Sequence, residues 1–257
     1  MNIFKNLYNY REFLKTSVKK DVRGKYKNSF LGVIWSFLNP LLQIAVYAFV
    51  FGKILNANEE NYAVFICCGL IPWTFFSASI NRSSFSMVEN GSIIKKVYFP
   101  REVIPISIVT AEAVNFVISS IIILGFVIVS GVGFSWHIIF YPIALFVLYT
   151  FLVSAAFFLS SITVYVRDLQ HFVGVILQLM FYATPIAYSA ARVPASFKWV
   201  IKINPVAYII DAFRKIFIYH QLPDFSGLGM VFAISLVLFV VGYLVFSKLQ
   251  KGFAEQL

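Results

Sequence analysis

The sequence predicts an all-α, multi-pass membrane protein, and three observations support that fold class. Residues 113–166 contain no Asp, Glu, Lys or Arg. The whole chain of 257 residues is 60% hydrophobic and 12% charged, whereas soluble domains carry about 25% charged residues. Four further uncharged segments are long enough to cross a bilayer, since about 20 helical residues span its ~30 Å hydrocarbon layer; they are 28–52, 61–81, 169–191 and 225–247.

Six spans are predicted, in one transmembrane domain that covers residues 1–257. The long run is sufficient for two passes, with a turn at the sequence Ser-Gly-Val-Gly, residues 130–133. The predicted spans are 30–51, 62–85, 104–130, 138–165, 170–190 and 228–247. The first apolar run is longer than the core of a signal peptide and follows a basic, amphipathic segment, so we expect no cleavage.

The basic residues predict the orientation of the chain. With six spans both termini share one face, and that face would hold 15 of the 21 Lys and Arg residues. The positive-inside rule then places both termini in the cytoplasm. Because these residues flank apolar spans, where anionic headgroups attract them, the net charge of +10 indicates a membrane surface and not a nucleic acid.

Residues 1–28 predict a cytoplasmic amphipathic helix. Such a helix either lies in the membrane interface or docks a cytoplasmic partner, and the two roles are compatible. Arg11 and Asp21 alone interrupt its apolar side. The apolar side contains Ile3, Phe4, Leu7, Tyr10, Leu14, Val18 and Val22, and the polar side contains Lys5, Glu12, Lys15, Thr16, Lys19 and Arg23.

Two loops also carry helical patterns. In residues 89–102, Ser92 is the predicted cap of a short helix with an apolar patch, Pro100 its predicted end, and an exposed apolar patch indicates a partner site. In residues 192–227, Asn204 is a predicted N-cap and Pro205 suits the first helical position. Asp211 and Arg214 lie three residues apart on that helix, as in a side-chain pair. Its apolar positions are Val206, Ile209, Ile210, Phe213 and Phe217.

The second of these helices is expected to lie on or dip into the outer leaflet. Segments that do not span the bilayer are tolerated there only where protein or a water-lined path surrounds them, which indicates a conduit.

Few polar or helix-breaking residues interrupt the predicted spans. Glu112 is a functional candidate because an intramembrane carboxylate is costly, or it lies near the headgroups or pairs with Arg82 or Arg101. Pro40 and Pro185 are predicted to kink or break spans one and five, as a gate or as plain packing features.

The remaining side chains yield two more predictions. Most of the tryptophans, Trp35, Trp73, Trp136 and Trp199, are expected in headgroup belts, whereas Tyr182 and Tyr188 are candidates for stacking on sugar rings. The adjacent Cys67 and Cys68 are interpreted as packing residues. The sequence contains no phosphate-binding Gly-x-x-x-x-Gly-Lys-Ser/Thr motif, no paired-histidine metal motif and no nucleophile elbow, so no catalytic function is predicted.

Four segments, in order along nearly the whole chain, resemble the membrane subunits of ATP-binding-cassette exporters for cell-surface polysaccharides of the O-antigen and teichoic acid type. The first segment is 20–32 with Trp35 and residues 39–41, and the second is 93–100. The third is 165–169, including Arg167 and Asp168, with 184–186, and the fourth is 204–214.

The resemblance implies a permease in the cytoplasmic (inner) membrane that works as a homodimer with two copies of a separate ATPase. ATP and Mg²⁺ would be bound by that partner, and this chain would hold no cofactor. A polyprenyl-pyrophosphate-linked glycan would pass between the two permease copies. Arg82, Lys95 or Arg101 would meet its pyrophosphate, or else reach towards the headgroups.

The resemblance also implies roles for individual residues. Trp35, Tyr182 and Tyr188 would face the glycan path, and Arg11, Lys15 and Lys19 would lie at the interface with the ATPase and the membrane. Arg167, Asp168, Asn204 and Arg214 would be structural, as would Glu112. The coupling helix to the ATPase would consist of Ile93, Ile94, Lys95, Lys96, Val97, Tyr98 and Phe99.

Three other functions stay open. A related permease would export a drug, an antibiotic or a lipid. An ATP-independent channel or ion-coupled carrier would show more intramembrane charge and internal inverted repeats. A scaffold for a glycosyltransferase would show no transport.

Overall fold

The computed structural model describes residues 3–24, 32–55 and 59–257, and every regular element in these segments is helical. The structure does not describe residues 25–31, which include the predicted start of the first span. The side chains outside the described part also include those of Ile3, Phe4 and Val33. The α-helices are α1 Ile3–Asn9, α2 Arg11–Gly24, α3 Trp35–Tyr47, α4 Tyr62–Glu89, α5 Gly91–Lys96, α6 Val103–Val129, α7 Tyr141–Thr163, α8 Leu169–Ala183, α9 Lys198–Ile203, α10 Pro205–Arg214, α11 Phe225–Leu249 and α12 Phe253–Gln256.

Five helical segments of the described chain are long and apolar enough to cross a membrane. Wider helical turns extend α3 to Ile54, and a 3₁₀ turn at Trp136–Phe140 precedes α7. The segments are Trp35–Ile54, Tyr62–Lys96, Val103–Val129, Trp136–Thr163 and Phe225–Gln256. Between α6 and α7, Gly131 and Gly133 adopt φ values of 70° and 80°, which glycine tolerates best, so the predicted turn is confirmed.

The fifth predicted span differs from the expectation of a helix over residues 170–190. Helix α8 has 15 residues and is about 22 Å long at 1.5 Å per residue, which is shorter than the hydrocarbon layer. Thr184 is extended, with φ −99° and ψ 133°, because a residue that precedes proline avoids helical angles. Pro185 therefore follows the end of α8, whereas Pro40 lies inside α3. The count of six spans stays a prediction.

Helix α4 lies at the centre of the bundle and contacts α3, α6, α7, α8 and α10. Cys67 and Cys68 are fully buried on it as free thiols, which confirms that they are packing residues. Trp73 is also buried, against Phe76 and Phe181. The Trp73 side chain therefore contacts protein on α4 and α8, and the headgroup-belt interpretation of most of the tryptophans stays a prediction.

The amphipathic segment at the start of the chain forms two helices, α1 and α2, with a break at Tyr10. Phe13 of α2 packs on Phe99 with ring centroids 4.9 Å apart, and α2 lies along α6. The exposed residues of this segment include Lys5, Glu12, Lys15, Thr16, Lys19 and Arg23, and the half-buried ones include Leu7, Tyr10, Leu14, Val18 and Val22. Protein covers the half-buried side, and contact with lipid stays a prediction.

Candidate functional site

An ion-paired cluster joins α2, α4 and α6. The Arg82 guanidinium donates to Glu112 Oε1 at 2.6 Å and lies 3.7 Å from Asp21 Oδ1. Glu112 is 2% exposed, and a buried carboxylate is stable only when such a partner offsets its lost hydration. Burial raises the pKa of the Asp21 carboxyl, and the Arg82 charge opposes that rise. Of the alternatives for Glu112, pairing with Arg82 is the observed one.

A cavity of about 280 Å³ lies beside this cluster, between α3, α4 and α6. Its wall contains Trp35 and Pro40, two of the residues singled out in the sequence. It also contains Asn115, which the sequence reasoning missed. The available signal was its position three residues after Glu112, since side chains at i and i+3 share a helix face.

A second cluster holds the irregular segment 184–187 that follows α8. Asn204 caps α10 by accepting from the Val206 backbone N–H at 3.0 Å, and its amide donates to Thr184 Oγ1 at 2.7 Å. Tyr62 at the start of α4 donates its hydroxyl to the Ala187 carbonyl at 2.7 Å. These bonds tie the end of α8 to α10 and to α4. The predicted N-cap Asn204 and first-turn Pro205 are confirmed.

Arg214 belongs to this second cluster. The residue is 4% exposed, and its guanidinium donates to the Ile186 carbonyl at 2.7 Å and lies 3.6 Å above the Phe65 ring. Asp211 forms its ion pair with Lys215 at 2.9 Å, so the expected pairing of Asp211 with Arg214 is wrong. Lys215 lies one residue further along the helix, at the i+4 spacing that also brings side chains together.

Helix α10 is enclosed by protein. Seven of its ten residues are buried, Val206, Ala207, Ile209, Ile210, Ala212, Phe213 and Arg214, and Phe213 packs on Phe116 and Tyr141. None of the residues 204–218 is fully exposed. This is the environment in which a helix that does not cross the membrane is tolerated at membrane depth.

The two tyrosines predicted for the glycan path lie together, apart from Trp35. The Tyr188 hydroxyl donates to the Tyr182 carbonyl at 2.8 Å, and the Tyr182 side chain is 67% exposed. Trp35 lies instead on the wall of the cavity near Glu112. The three side chains predicted for the glycan path therefore lie in two different regions, Tyr182 and Tyr188 in one and Trp35 in the other.

The short helix between α4 and α6 is real but shorter than the predicted element. Asn90 occupies the N-cap position and α5 ends at Lys96, so the assignments of Ser92 as cap and Pro100 as the end are wrong. The helix ends where Val97 becomes extended, with φ −125° and ψ 133°, an angle that β-branched side chains favour. The Asn90 amide donates instead to the Ser86 carbonyl in the last turn of α4.

Residues 93–99 divide into an inward and an outward set. Ile94 and Phe99 are buried, and Ile93 is 36% exposed. The outward set consists of Lys95, Lys96, Val97 and Tyr98, and Tyr98 is 97% exposed. Arg11, Lys15 and Lys19 on α2 are also exposed. This end of the molecule thus presents apolar and cationic groups to its surroundings.

The C-terminal segment lies against the same surface. The Arg101 guanidinium donates to the Gln250 carbonyl, the Tyr165 hydroxyl donates to the Leu249 carbonyl at 2.9 Å, and Arg167 donates to the Gln256 carbonyl at 3.4 Å. Asp168 occupies the N-cap position of α8 without a side-chain cap bond. Arg101 is therefore bound to the C-terminal segment and not to Glu112.

Within the described residues no group of three or more His, Cys, Asp or Glu side chains is placed to hold a metal ion. The candidate functional features of the described residues are a mostly apolar cavity among helices of membrane-spanning length, a buried helix at one end and a basic and apolar surface at the other.

The chain is similar to known transport proteins along almost its full length. Residues 12–218 match the family model of the ABC-2 type transporter. An O-antigen export system permease protein of Myxococcus xanthus is 32% identical over 100% of both chains, and one of Klebsiella pneumoniae is 38% identical over 95% of this chain and 94% of its own. A polysialic acid transport protein of Escherichia coli is 20% identical over 91% and 92%. Together with its membrane-length helices, these matches show that the chain is a multi-pass membrane protein of the ABC-2 type transporter family.

Proposed function

We propose that this chain is the permease subunit of an exporter that moves a polyprenyl-pyrophosphate-linked polysaccharide, O-antigen or teichoic acid, across the cytoplasmic membrane. The observation that carries the proposal is the end-to-end similarity to O-antigen export permeases, at 32–38% identity over at least 94% of each chain. ATP hydrolysis on a separate subunit would drive transport, since the sequence lacks the phosphate-binding loop.

Loss of surface glycan is the first test of this function. Deletion of the gene should remove the long-chain polysaccharide from the cell surface, and a plasmid copy should restore it. A tagged copy should co-purify with an ATPase of the ATP-binding-cassette type. Normal surface glycan in the deletion strain, together with altered sensitivity to a drug or an altered lipid, would favour the related drug or lipid exporter.

The surface that would receive the ATPase is the outward set of residues 95–98 together with α2. Tyr98 is 97% exposed, and an aromatic side chain that the protein leaves uncovered is a typical anchor at an interface. Lys95 and Lys96 flank it and would attract an acidic partner surface. ATP and Mg²⁺ would stay on that partner.

Substitution of Tyr98 tests this coupling role without disturbing the core. Because the side chain is almost fully exposed, Tyr98→Ala should leave insertion and stability unchanged and should reduce the permease-stimulated ATPase rate by about tenfold, the effect of removing an interface anchor. Lys96→Glu should act in the same direction. Trp199→Ala, exposed in α9, is the control. Full stimulation in both Tyr98→Ala and Lys96→Glu would remove the coupling assignment.

A homodimer with a glycan conduit between its copies is supported by the exposed sides of α3 and α8. Gln178, in the middle of α8, is exposed, and so is Asn39 in α3. Amide side chains at membrane depth are expensive in lipid and face protein or a water-filled path. A second copy with a polar path between the two would supply both environments.

Cysteine cross-linking tests this arrangement. The native Cys67 and Cys68 are fully buried, so a single introduced cysteine would carry the signal. Gln178→Cys should form a covalent dimer with a short bifunctional thiol reagent in membranes. Phe146→Cys, exposed on α7, is the matched control and should stay monomeric. A cross-link in the control alone would place the interface elsewhere.

A further inference from the structure

The C-terminal segment, residues 249–257, bridges two parts of the chain that are far apart in the sequence. One part is α5, which carries Lys95 and Lys96 of the proposed ATPase-docking surface, and the other is the loop of residues 164–168 between α7 and α8. Helix α12 contacts α5, and Leu257 lies 3.4 Å from the position that a Cβ at the buried Gly91 would occupy. The segment therefore covers the start of α5.

Arg101, in the connection between α5 and α6, is attached to the same segment. Its guanidinium donates to the Gln250 carbonyl and lies 5.9 Å from the centre of the Phe253 ring. Phe253 is fully buried, and moving its ring away would expose apolar surface. A polar and an aromatic contact thus fasten the connection after α5 to the C-terminal segment.

The loop between α7 and α8 holds the other side of the segment. The Tyr165 hydroxyl donates to the Leu249 carbonyl at 2.9 Å, and its ring centre lies 6.4 Å from that of Phe253. Arg167 donates to the Gln256 carbonyl at 3.4 Å. Because α8 begins directly after this loop, a displacement of the segment would reach the first turn of α8.

The segment is helical between these attachments. A 3₁₀ turn at Gln250–Gly252 continues into α12, and the Leu257 N–H bonds to the Phe253 carbonyl at 3.0 Å. Helical turns resist stretching, because a change of length breaks their backbone hydrogen bonds. A short helical segment that is attached on both sides therefore transmits a displacement instead of absorbing it.

We propose that the C-terminal segment carries the movement of α5 to α8, and that Tyr165 and Gly252 are positioning residues in this link. Helix α8 presents Gln178 and Tyr182 on its exposed side, which is the side proposed to face the glycan path, so a shift of α8 would change that path. The inference rests on the proposed function, because it assumes that an ATPase moves α5.

Removal of the Tyr165 hydroxyl tests the link. In inverted membrane vesicles that contain the permease and its ATPase, phosphate release is measured together with uptake of a radiolabelled polyprenyl-diphosphate-linked polysaccharide into the lumen. Tyr165→Phe should keep the stimulated rate of hydrolysis, since the docking surface of residues 95–98 is unchanged. It should reduce the glycan exported per ATP by roughly three- to tenfold, because one hydrogen bond of the link is lost.

Tyr208→Phe is the matched control. The Tyr208 hydroxyl also donates to a backbone carbonyl, that of Lys202 at 3.1 Å, but it lies outside the C-terminal segment and its attachments. This variant should export as much glycan per ATP as the unmodified protein. Thermal unfolding in detergent is measured for every variant. A fall of the thermal midpoint, the hydrolysis rate and export together in Tyr165→Phe would indicate a merely structural role and would overturn the proposal.

Gly252 supplies an independent variant. Its φ of −91° and ψ of −1° are open to alanine, but a Cβ there would lie 2.5 Å from the Tyr165 hydroxyl oxygen and would push it aside. Gly252→Ala should therefore reduce the glycan exported per ATP as Tyr165→Phe does.

The double variant Gly252→Ala with Tyr165→Phe should lose no more than Tyr165→Phe alone. Without the hydroxyl, the nearest ring atom, Cζ, lies 3.7 Å from the added Cβ, which is an ordinary contact. Losses that multiply in the double variant would show that the two residues do not act through one contact, and would overturn their assignment as one attachment.

Failure of the link and failure of the proposed function give different results. Unmodified vesicles that export glycan, while Tyr165→Phe vesicles export as much per ATP, would overturn the link alone. Unmodified vesicles that hydrolyse ATP and accumulate no glycan would count against the proposed function, and with it against both proposals.

Discussion

At Gly69, α4 packs closely against residues 184–187, which follow α8. A Cβ atom built there would lie 2.9 Å from the Ile186 carbonyl oxygen and 3.1 Å from Arg214 Nη2. The first of these neighbours is backbone, which Asn204 and Tyr62 hold in place on either side through Thr184 and Ala187. A side chain at position 69 would therefore displace the Ile186 carbonyl from the buried Arg214 guanidinium.

We predict that Gly69→Ala lowers the free energy of unfolding by about 1–3 kcal/mol, the usual effect of overpacking. Gly125→Ala is the control, since a Cβ on this α6 glycine meets nothing within 4 Å. It should instead raise the stability by up to about 1 kcal/mol, because alanine favours a helix over glycine. Thermal unfolding of the purified proteins in detergent measures both. A Gly69→Ala protein as stable as the Gly125→Ala protein would contradict the close packing of α4 on this segment.

The ion pair of Arg82 with Glu112 makes a second prediction at the scale of single residues. Arg82→Met removes the guanidinium that lies 2.6 Å from the buried Glu112 carboxylate, and should cost about 3 kcal/mol of stability. The double variant Arg82→Met with Glu112→Met should cost less than the sum of the two single variants, by about 0.5–3 kcal/mol. Denaturation of the four proteins of this cycle measures the coupling. Additive losses would show that the two side chains do not stabilise each other.

Among the helices, the long apolar ones could be predicted from the sequence and the short ones only in part. Helix α6, expected over residues 104–130, is found at Val103–Val129, because a long apolar run, here with Glu112 as its single charged residue, marks membrane-spanning helices strongly. Helix α8 is shorter than expected, and α5 begins at Gly91 instead of after Ser92. Ends of this kind depend on tertiary contacts and on single φ and ψ angles.

The candidate site was predictable to a similar degree. Glu112 and Asn204 were found because a carboxylate in an apolar run and an Asn-Pro pair are conspicuous locally. The contacts of Asn204 with Thr184, and of Arg214 with the Ile186 carbonyl, join residues 20 and 28 positions apart. No spacing rule for helices reaches that far. Likewise, the sequence alone does not predict that Tyr98 is exposed and Phe99 is buried, because this depends on the path of the chain after α5.

Asp224 provides a prediction for one helix, α11. Its carboxylate accepts from the Ser226 backbone N–H at 3.1 Å, the Ser226 hydroxyl at 2.8 Å and the Gly227 N–H at 3.2 Å. These bonds, first the one from the Ser226 side chain, lower the pKa of Asp224 below its ordinary value of 3.8. Asp224→Ala should therefore reduce stability by about 1 kcal/mol at neutral pH, the usual value of an N-cap.

The pH dependence of this effect has a definite sign. A carboxylate whose pKa is lowered on folding stabilises the protein above its unfolded pKa of 3.8, and that contribution is lost as the pH falls through the lower, folded pKa. Asp224→Asn keeps an oxygen acceptor, so its stability at neutral pH should stay near that of the unmodified protein and should lose this acid-dependent component. Unfolding measured in detergent from pH 7 down to about pH 3 separates the three proteins. Identical acid profiles for Asp and Asn would contradict the cap.

For the whole molecule, contacts bring the two ends of the chain to the same place. Phe13 of α2 packs on Phe99, and Leu257 lies in van der Waals range of a Cβ at Gly91. At the opposite end, Phe140 before α7 packs on Phe225 at the start of α11. Tyr165 bonds to Leu249 at the first end, whereas Phe225 lies at the opposite end. The chain therefore passes from one end of the bundle to the other between residues 165 and 225. Helix α8 and the residues after it lie in this part of the chain. If they complete a membrane crossing, as the predicted fifth span requires, the number of crossings is even.

An even number of crossings predicts that the two termini lie on one side of the membrane, and the basic residues of α2 predict that this side is the cytoplasm. Single cysteines at Lys19, Glu255 and Lys198 test both statements, since all three positions are exposed and the native Cys67 and Cys68 are buried. In spheroplasts, an impermeant thiol reagent should label Lys198→Cys at once. Lys19→Cys and Glu255→Cys should react only after the membrane is permeabilised. Labelling of either terminal position in intact spheroplasts would mean that α8 and residues 184–189 do not complete a crossing, and the ATPase-docking surface would then have to be sought elsewhere.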